Sequence, residues 1–205
     1  MSTDSERIAE LLLKAGAVLI RPAKPFTWAS GIQSPIYCDN RLLLSSPRAR
    51  TEVIDAFLKL LRKKRLKFDV IAGIATAGIP YAAILADRLK KPLIYVRPKP
   101  KDHGKKGQIE GRLEKGSRVL MIEDLVSTGG SSLNAVKAIR QAGSKVSDCL
   151  AVFSYNLQKS QTAFRQGKCR IHTLSGLVTL LKVAVREKVI GSKEKDLVER
   201  FITQM

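Results

Sequence analysis

The chain has 205 residues, 44% of them hydrophobic, which is long and apolar enough for a single α/β domain with its own core and excludes an intrinsically disordered chain. Its 37 lysines and arginines against 18 acids leave a formal net charge of +19. That suits a protein handling phosphate-rich ligands, and because the cations are spread along the chain without interleaved aromatics, it argues against a dedicated nucleic-acid face. Cys38, Cys149 and Cys169 are odd in number and lack metal-ligand spacing, so they read as reduced thiols. No apolar run is long enough to span a bilayer, and residues 1–7 lack the order of a signal peptide, so a soluble, cytoplasmic protein is expected.

Taken in order, residues 4–15 read as a helix with Ile8, Leu11, Leu12 and Ala15 on one face and Gly16 as its stop. Ala17 to Ile20 is a short strand-like run. Residues 25–41 have no clean period and hold the only Trp (Trp28) with Phe26, Tyr37, Asp39 and Arg41, which suits a binding loop better than a connector. Ser46 and Pro47 open a helix whose stripe is Val53, Ile54, Phe57, Leu58 and Leu61. The basic run from Arg62 to Lys67 complements the negative end of that helix.

Residues 69–74 read as a strand, 75–80 as a small-residue loop and the stretch to Leu89 as a helix, a βαβ rhythm that predicts a parallel sheet. Leu93 to Val96 is the next strand. The run 97–111 is rich in Pro, Gly and cations and has almost nothing apolar, so it cannot pack into a core; beside a phosphate site it would make a mobile lid.

The most informative stretch is 119–132. Val119 to Ile122 predict a buried strand, Glu123 and Asp124 follow at its C-terminal end, and Ser127, Thr128, Gly129, Gly130, Ser131 and Ser132 lead into a helix. Glycines let successive N–H groups converge, and the helix adds its positive end, so the loop suits a phosphate. The carboxylates would repel that phosphate and should face sugar hydroxyls or a divalent cation. A ribose 5′-phosphate meets both demands. The lysine of a Walker-type loop is absent, which argues against a nucleotide triphosphatase. Beyond this stretch, residues 147–153 and 169–173 read as strands joined by a helix over 159–166, and 175–187 and 193–202 as helices, with no internal repeat.

Residues 123–131 resemble the 5-phosphoribosyl 1-diphosphate (PRPP) signature of type I phosphoribosyltransferases. Two further stretches resemble orotate phosphoribosyltransferases: Ser30, Gly31, Ser34, Pro35, Tyr37, Asp39 and Arg41 of the N-terminal segment, and Arg97, Lys101, Asp102, His103 and Gly104 of the lid. The resemblance spans roughly residues 20 to 155. It implies a type I phosphoribosyltransferase fold over residues 1–205: a central, mostly parallel sheet flanked by helices, with a hood over about 16–45 and a catalytic loop over about 97–111.

The resemblance also implies the activity, a pentosyl transfer from PRPP to orotate in pyrimidine biosynthesis. Arg97, Lys101, His103 and Asp124 would be catalytic. PRPP would be held by these with Lys99, Glu123, Leu125, Val126, Ser127, Thr128, Gly129, Gly130, Ser131 and Thr76. Orotate would meet Ser127, Ser30, Gly31, Tyr37 and Arg41. Mg²⁺ is implied as cofactor, held through diphosphate and ribose near Glu123 and Asp124 rather than by direct protein ligands. The lid would reach a neighbouring subunit, implying a homodimer. Ala29, Ala77 and Asn156 replace basic residues found in some members, and Pro98 replaces a lysine, so the side chain that meets the orotate carboxylate stays open. Two other readings remain: a transferase for a purine or uracil, and a regulator that senses PRPP and binds nucleic acid.

Overall fold

The computed structural model describes residues 2–27, 33–99 and 107–204. Helix α1 (Asp4–Lys14) opens on a capping box: Thr3 Oγ1 accepts from the Glu6 N–H at 3.2 Å, and the Glu6 carboxylate accepts from the Thr3 N–H at 2.8 Å. It is followed by β1 (Val18–Ile20), β2 (Phe26–Thr27), β3 (Gln33–Ser34) and β4 (Ile36–Cys38). Strands β1 and β4 pair antiparallel, as do β2 and β3, so part of the expected hood loop is two small ribbons. A 3₁₀ helix over Asn40–Ser45 leads into α2 (Pro47–Lys64), capped by the Ser46 hydroxyl with Pro47 in its first turn.

Next come β5 (Val70–Ile74), α3 (Gly78–Leu89), β6 (Leu93–Val96), β7 (Ile109–Glu110) and β8 (Arg118–Val126). After them come α4 (Gly130–Gln141), β9 (Lys145–Ser154), α5 (Gln158–Gln166), β10 (Arg170–Gly176), α6 (Leu177–Arg186) and α7 (Ser192–Thr203). Six strands form one sheet in the order β10-β9-β8-β5-β6-β7, all parallel except the edge pair β6–β7. The central strands β5, β8 and β9 are buried on both faces over most of their length, which is why they read as continuous apolar runs. Along β8, Leu120 and Ile122 join the core under α1, α2, α3 and α6, while Val119 and Met121 join the second core under α4 and α5.

Three expectations are corrected. Glu123 and Asp124 lie inside β8 rather than after it, because the strand continues beside the long β9, with Glu123 opposite Ala151 and Val126 opposite Ser154. The run 97–111 is not wholly irregular: Ile109 and Glu110 pair with Val96 and Tyr95, and Ile109 packs on the second core. Ser175, expected to open a helix, lies within β10 opposite Phe153, and α6 starts at Leu177.

The topology places the site. From β5 the chain crosses to β6 on one side and later returns to β8 on the other. The C-terminal ends of β5 and β8 therefore diverge, and a doubly wound sheet binds ligands in such a crevice.

Candidate active site

A cavity of about 490 Å³ opens at that crevice, between the loop after β5, the end of β8 and the segment after β4. Thr76, Ala77, Arg41, Glu123, Asp124 and Ser131 line it. Residues more than 80 positions apart in sequence thus converge on one hollow.

The loop after β5 is held against β6 by the Ala75 N–H, which donates to the Val96 carbonyl at 2.9 Å, and the Ala75–Thr76 peptide is cis. Helix α3 follows at once and lies so close to β8 that a Cβ at Gly78 would collide with the Ile122 carbonyl. At the other wall, Gly129 turns the chain at φ +82°, and α4 begins at Gly130 with its N-terminus toward the crevice side. A side chain at Gly129 would also strike the Phe164 ring. Ser127 is half-buried and Thr128 exposed, so their hydroxyls are open to a ligand.

The two acids sit in an unusual environment. Glu123 is buried, accepts from the Ser132 hydroxyl at 3.3 Å and from the Asp124 N–H at 3.2 Å, and neither acid forms an ion pair among the described residues. Burial first, then the neighbouring Asp124 charge, push the Glu123 carboxyl far above the usual carboxylate range; burial also raises Asp124. A buried and a half-buried acid side by side, with no ion pair among the described residues, cost stability, as expected of groups kept for a ligand.

Asn40, which no sequence argument singled out, ties the walls together. Fully buried, it donates from Nδ2 to the Asp124 carbonyl at 2.7 Å; its own carbonyl accepts from the Tyr81 hydroxyl of α3 at 2.7 Å, and its Oδ1 accepts from the Cys38 thiol at 3.3 Å. Its only signal was its place between Asp39 and Arg41. Those two form a fork, with Arg41 Nε and Nη2 donating to the Asp39 carboxylate at 2.7 and 2.8 Å, and hydrogen bonds from Arg41 hold Asp39 below its ordinary range.

The other expected site residues fall as follows. Leu125 lines the cavity, whereas Val126 is buried in the second core. Tyr37 lies outside the cavity lining, its ring 5.6 Å from that of Phe26, because alternation along β4 sends Cys38 inward instead. Arg97 follows β6, beside the loop after β5, and pairs with Glu110 at 3.6 Å; it does not line the cavity. Lys99 is exposed near it. Asn134 of α4 donates to the Pro98 carbonyl at 2.9 Å, holding the base of the 97–111 run over the α4 end of the site. Asn156 takes a left-handed φ of +55° in the turn after β9. Ala29, Ser30, Gly31, Lys101 and His103 lie outside the described residues.

Known proteins share this arrangement. The phosphoribosyl transferase domain model matches residues 41–171. An orotate phosphoribosyltransferase of Coxiella burnetii (strain RSA 493 / Nine Mile phase I) is 52% identical over 188 residues, 92% of this chain and 90% of that protein. The crystal structure of orotate phosphoribosyltransferase from Aeropyrum pernix matches with a TM-score of 0.77 at 33% identity, over 90% of this chain and 99% of that one. That of Mycobacterium tuberculosis H37Rv orotate phosphoribosyltransferase in complex with PRPP matches with a TM-score of 0.68 at 25% identity, over 87% and 99%. With a cavity at the β5–β8 crevice, two adjacent acids beside a glycine-hydroxyl loop and this relatedness over nearly its whole length, the chain belongs to the phosphoribosyl transferase domain family, among the orotate phosphoribosyltransferases.

Proposed function

We infer that the chain transfers the 5-phosphoribosyl group of PRPP to N1 of orotate, giving orotidine 5′-monophosphate and diphosphate. The observation that carries this reading is the pair Glu123–Asp124 on one wall of a cavity whose other walls are Thr76–Ala77 and Arg41. The spacing from the acids to the loop suits a ribose with its 5′-phosphate: hydroxyls of Ser127, Thr128 and Ser131 and amides of the turn into α4 receive the phosphate. The acids receive the ribose hydroxyls, which relieves their burial without a cation, and their charge faces the positive character that develops at C1 as the C1–diphosphate bond breaks. Backbone groups of 75–77 meet the diphosphate. Arg97, Lys99, Lys101 and His103 neutralise it as it leaves, and the closed 97–111 run keeps water from C1.

The donor set fits Mg²⁺ as a shared ion: two carboxylates supply only part of the six oxygens such a cation takes, so substrate oxygens and water complete its shell. When bound it offsets the diphosphate charge. Arg41 is the cation nearest the site on the hood side, and its fork to Asp39 leaves further N–H donors for the orotate carboxylate.

The test is loss of orotate absorbance on mixing the protein with PRPP and Mg²⁺, with guanine, hypoxanthine and uracil in parallel. Turnover of orotate alone is expected; turnover of another base, or of none, refutes the reading. The same reading makes the protein a cytoplasmic homodimer whose 97–111 run serves the partner's site. Mixing inactive Lys101→Ala with inactive Asp124→Asn should then restore activity through hybrid dimers, and no recovery would show that each run serves its own subunit.

A further inference from the structure

A second hollow lies away from the crevice. A cleft of about 640 Å³ lies at the opposite, N-terminal ends of β5, β8, β9 and β10. Arg65, in a left-handed conformation at φ +49°, ends α2, and the chain then drops through Leu66 and Phe68 into β5 to form one wall. Arg118, Lys145 and Arg170 open the three strands of the other. Along β8, Arg118 is five residues from Glu123, about 17 Å at the usual rise, so the cleft is separate from the crevice.

Its charge is lopsided. Asp69 is committed to Arg118, and Asp148 to Arg170 and His172. Lys64, Arg65, Lys67 and Lys145 remain exposed with no ion pair among the described residues. The negative end of α2 offsets Lys64, but Lys67 and Lys145 lie beyond its last turn. Between these cations, Leu66 and Phe68 present half-buried apolar surface over Val119 and Leu120. Clustered unpaired cations call for an oligophosphate, and one aromatic ring beside them suits one base. A nucleic-acid strand would need a series of such rings, whereas among the described residues lining the cleft Phe68 is the one carbocyclic aromatic and the His172 imidazole is held by Asp148. The volume falls in the small-ligand range.

We propose that this cleft is a second, non-catalytic binding site for a nucleoside 5′-triphosphate, with the phosphates on Lys64, Lys67 and Lys145 and the base against Phe68. The proposal stands apart from the reaction at the crevice. The test is calorimetric titration of the full chain with UTP and with ATP at about 150 mM salt, with inorganic triphosphate and a single-stranded RNA as further arms and amide hydrogen exchange to locate the ligand. A nucleoside triphosphate should bind and protect residues 64–68 and 118–120. The exposed double substitution Lys67→Glu/Lys145→Glu should weaken it roughly tenfold or more, as loss of two charge-assisted contacts requires, while orotate turnover without nucleotide stays unchanged. Absence of binding, protection confined to 123–131, or equal binding by the double variant overturns the site. Inorganic triphosphate binding as tightly overturns the role of Phe68, and RNA binding in place of mononucleotides makes the cleft a nucleic-acid face.

Discussion

At the N-terminal ends of the parallel strands, Asp69 takes a fork from Arg118, and Asp148 takes one from Arg170 with His172 at 2.7 Å; at the C-terminal ends of the same sheet, Glu123 accepts from the Ser132 hydroxyl and the Asp124 N–H, and neither Glu123 nor Asp124 forms an ion pair among the described residues. The electrostatic consequence is opposite. Burial works to raise the Asp148 carboxyl, but hydrogen bonds from Arg170 and His172 outweigh it and hold it low, and Arg118 does the same for Asp69. At the other end burial wins, and both acids are pushed up. A paired acid supports the fold, whereas a buried acid without a cation is held ready for something that arrives from solution.

The comparison is most sharply tested at Asp124. Asp124→Asn should lower kcat/KM about 10²–10³-fold, as loss of one preorganised charge does elsewhere, without lowering Tm; unchanged kinetics would place Asp124 among the structural acids. Asn40→Ala leaves the Asp124 carbonyl without its donor, a cost of about 1–3 kcal/mol and so a Tm lower by roughly 2–4 °C per kcal/mol for a chain of this size. Because that carbonyl belongs to the site wall, KM for PRPP should rise as well. A fall in Tm with an unchanged KM would make Asn40 a fold residue only.

Glu123→Gln should raise Tm at neutral and alkaline pH while reducing turnover. The folded carboxyl holds its proton more tightly than the unfolded one, so its stabilising contribution is complete below the unfolded value of about 4.3 and is lost as pH rises toward the raised folded value. The wild-type Tm should therefore decline relative to the variant across that window, and parallel Tm–pH curves would contradict the burial argument. The smallest effect is at Asp148. Its folded carboxyl is depressed, so the stability it contributes is present above about pH 3.9 and vanishes as pH falls through the lower folded value. Asp148→Asn should lower stability slightly near pH 7, by less than about 1 kcal/mol for so exposed an arginine partner, with a correspondingly small fall in Tm and turnover unaltered. A loss of activity would mean that the two ends of the sheet are coupled.

Much of this was legible in the residues. The apolar runs at 70–74 and 119–122, each followed by a small-residue loop and a helical stripe, with the run at 93–96 between them, predicted a parallel sheet, because central strands buried on both faces leave no polar alternation to mistake. The acids and the Ser-Thr-Gly-Gly run were equally readable, since phosphate binding at a helix N-terminus and sugar binding by carboxylates are local chemistry. Other features depend on partners distant in sequence. That β8 carries the acids within it follows from pairing with β9; that Asn40 holds Asp124 follows from a contact across 84 positions; that Tyr37 lies outside the lining while Cys38 borders it follows from alternation along β4. The basic run at 62–67 looked like a helix end, and only the convergence of three further strand starts made it one wall of a cleft. Composition and spacing determined the fold class and the phosphate–ribose chemistry, because those arise between neighbours along the chain. Tertiary structure decided which acids are paired and which are left bare, because burial and charge pairing are properties of distant segments brought together.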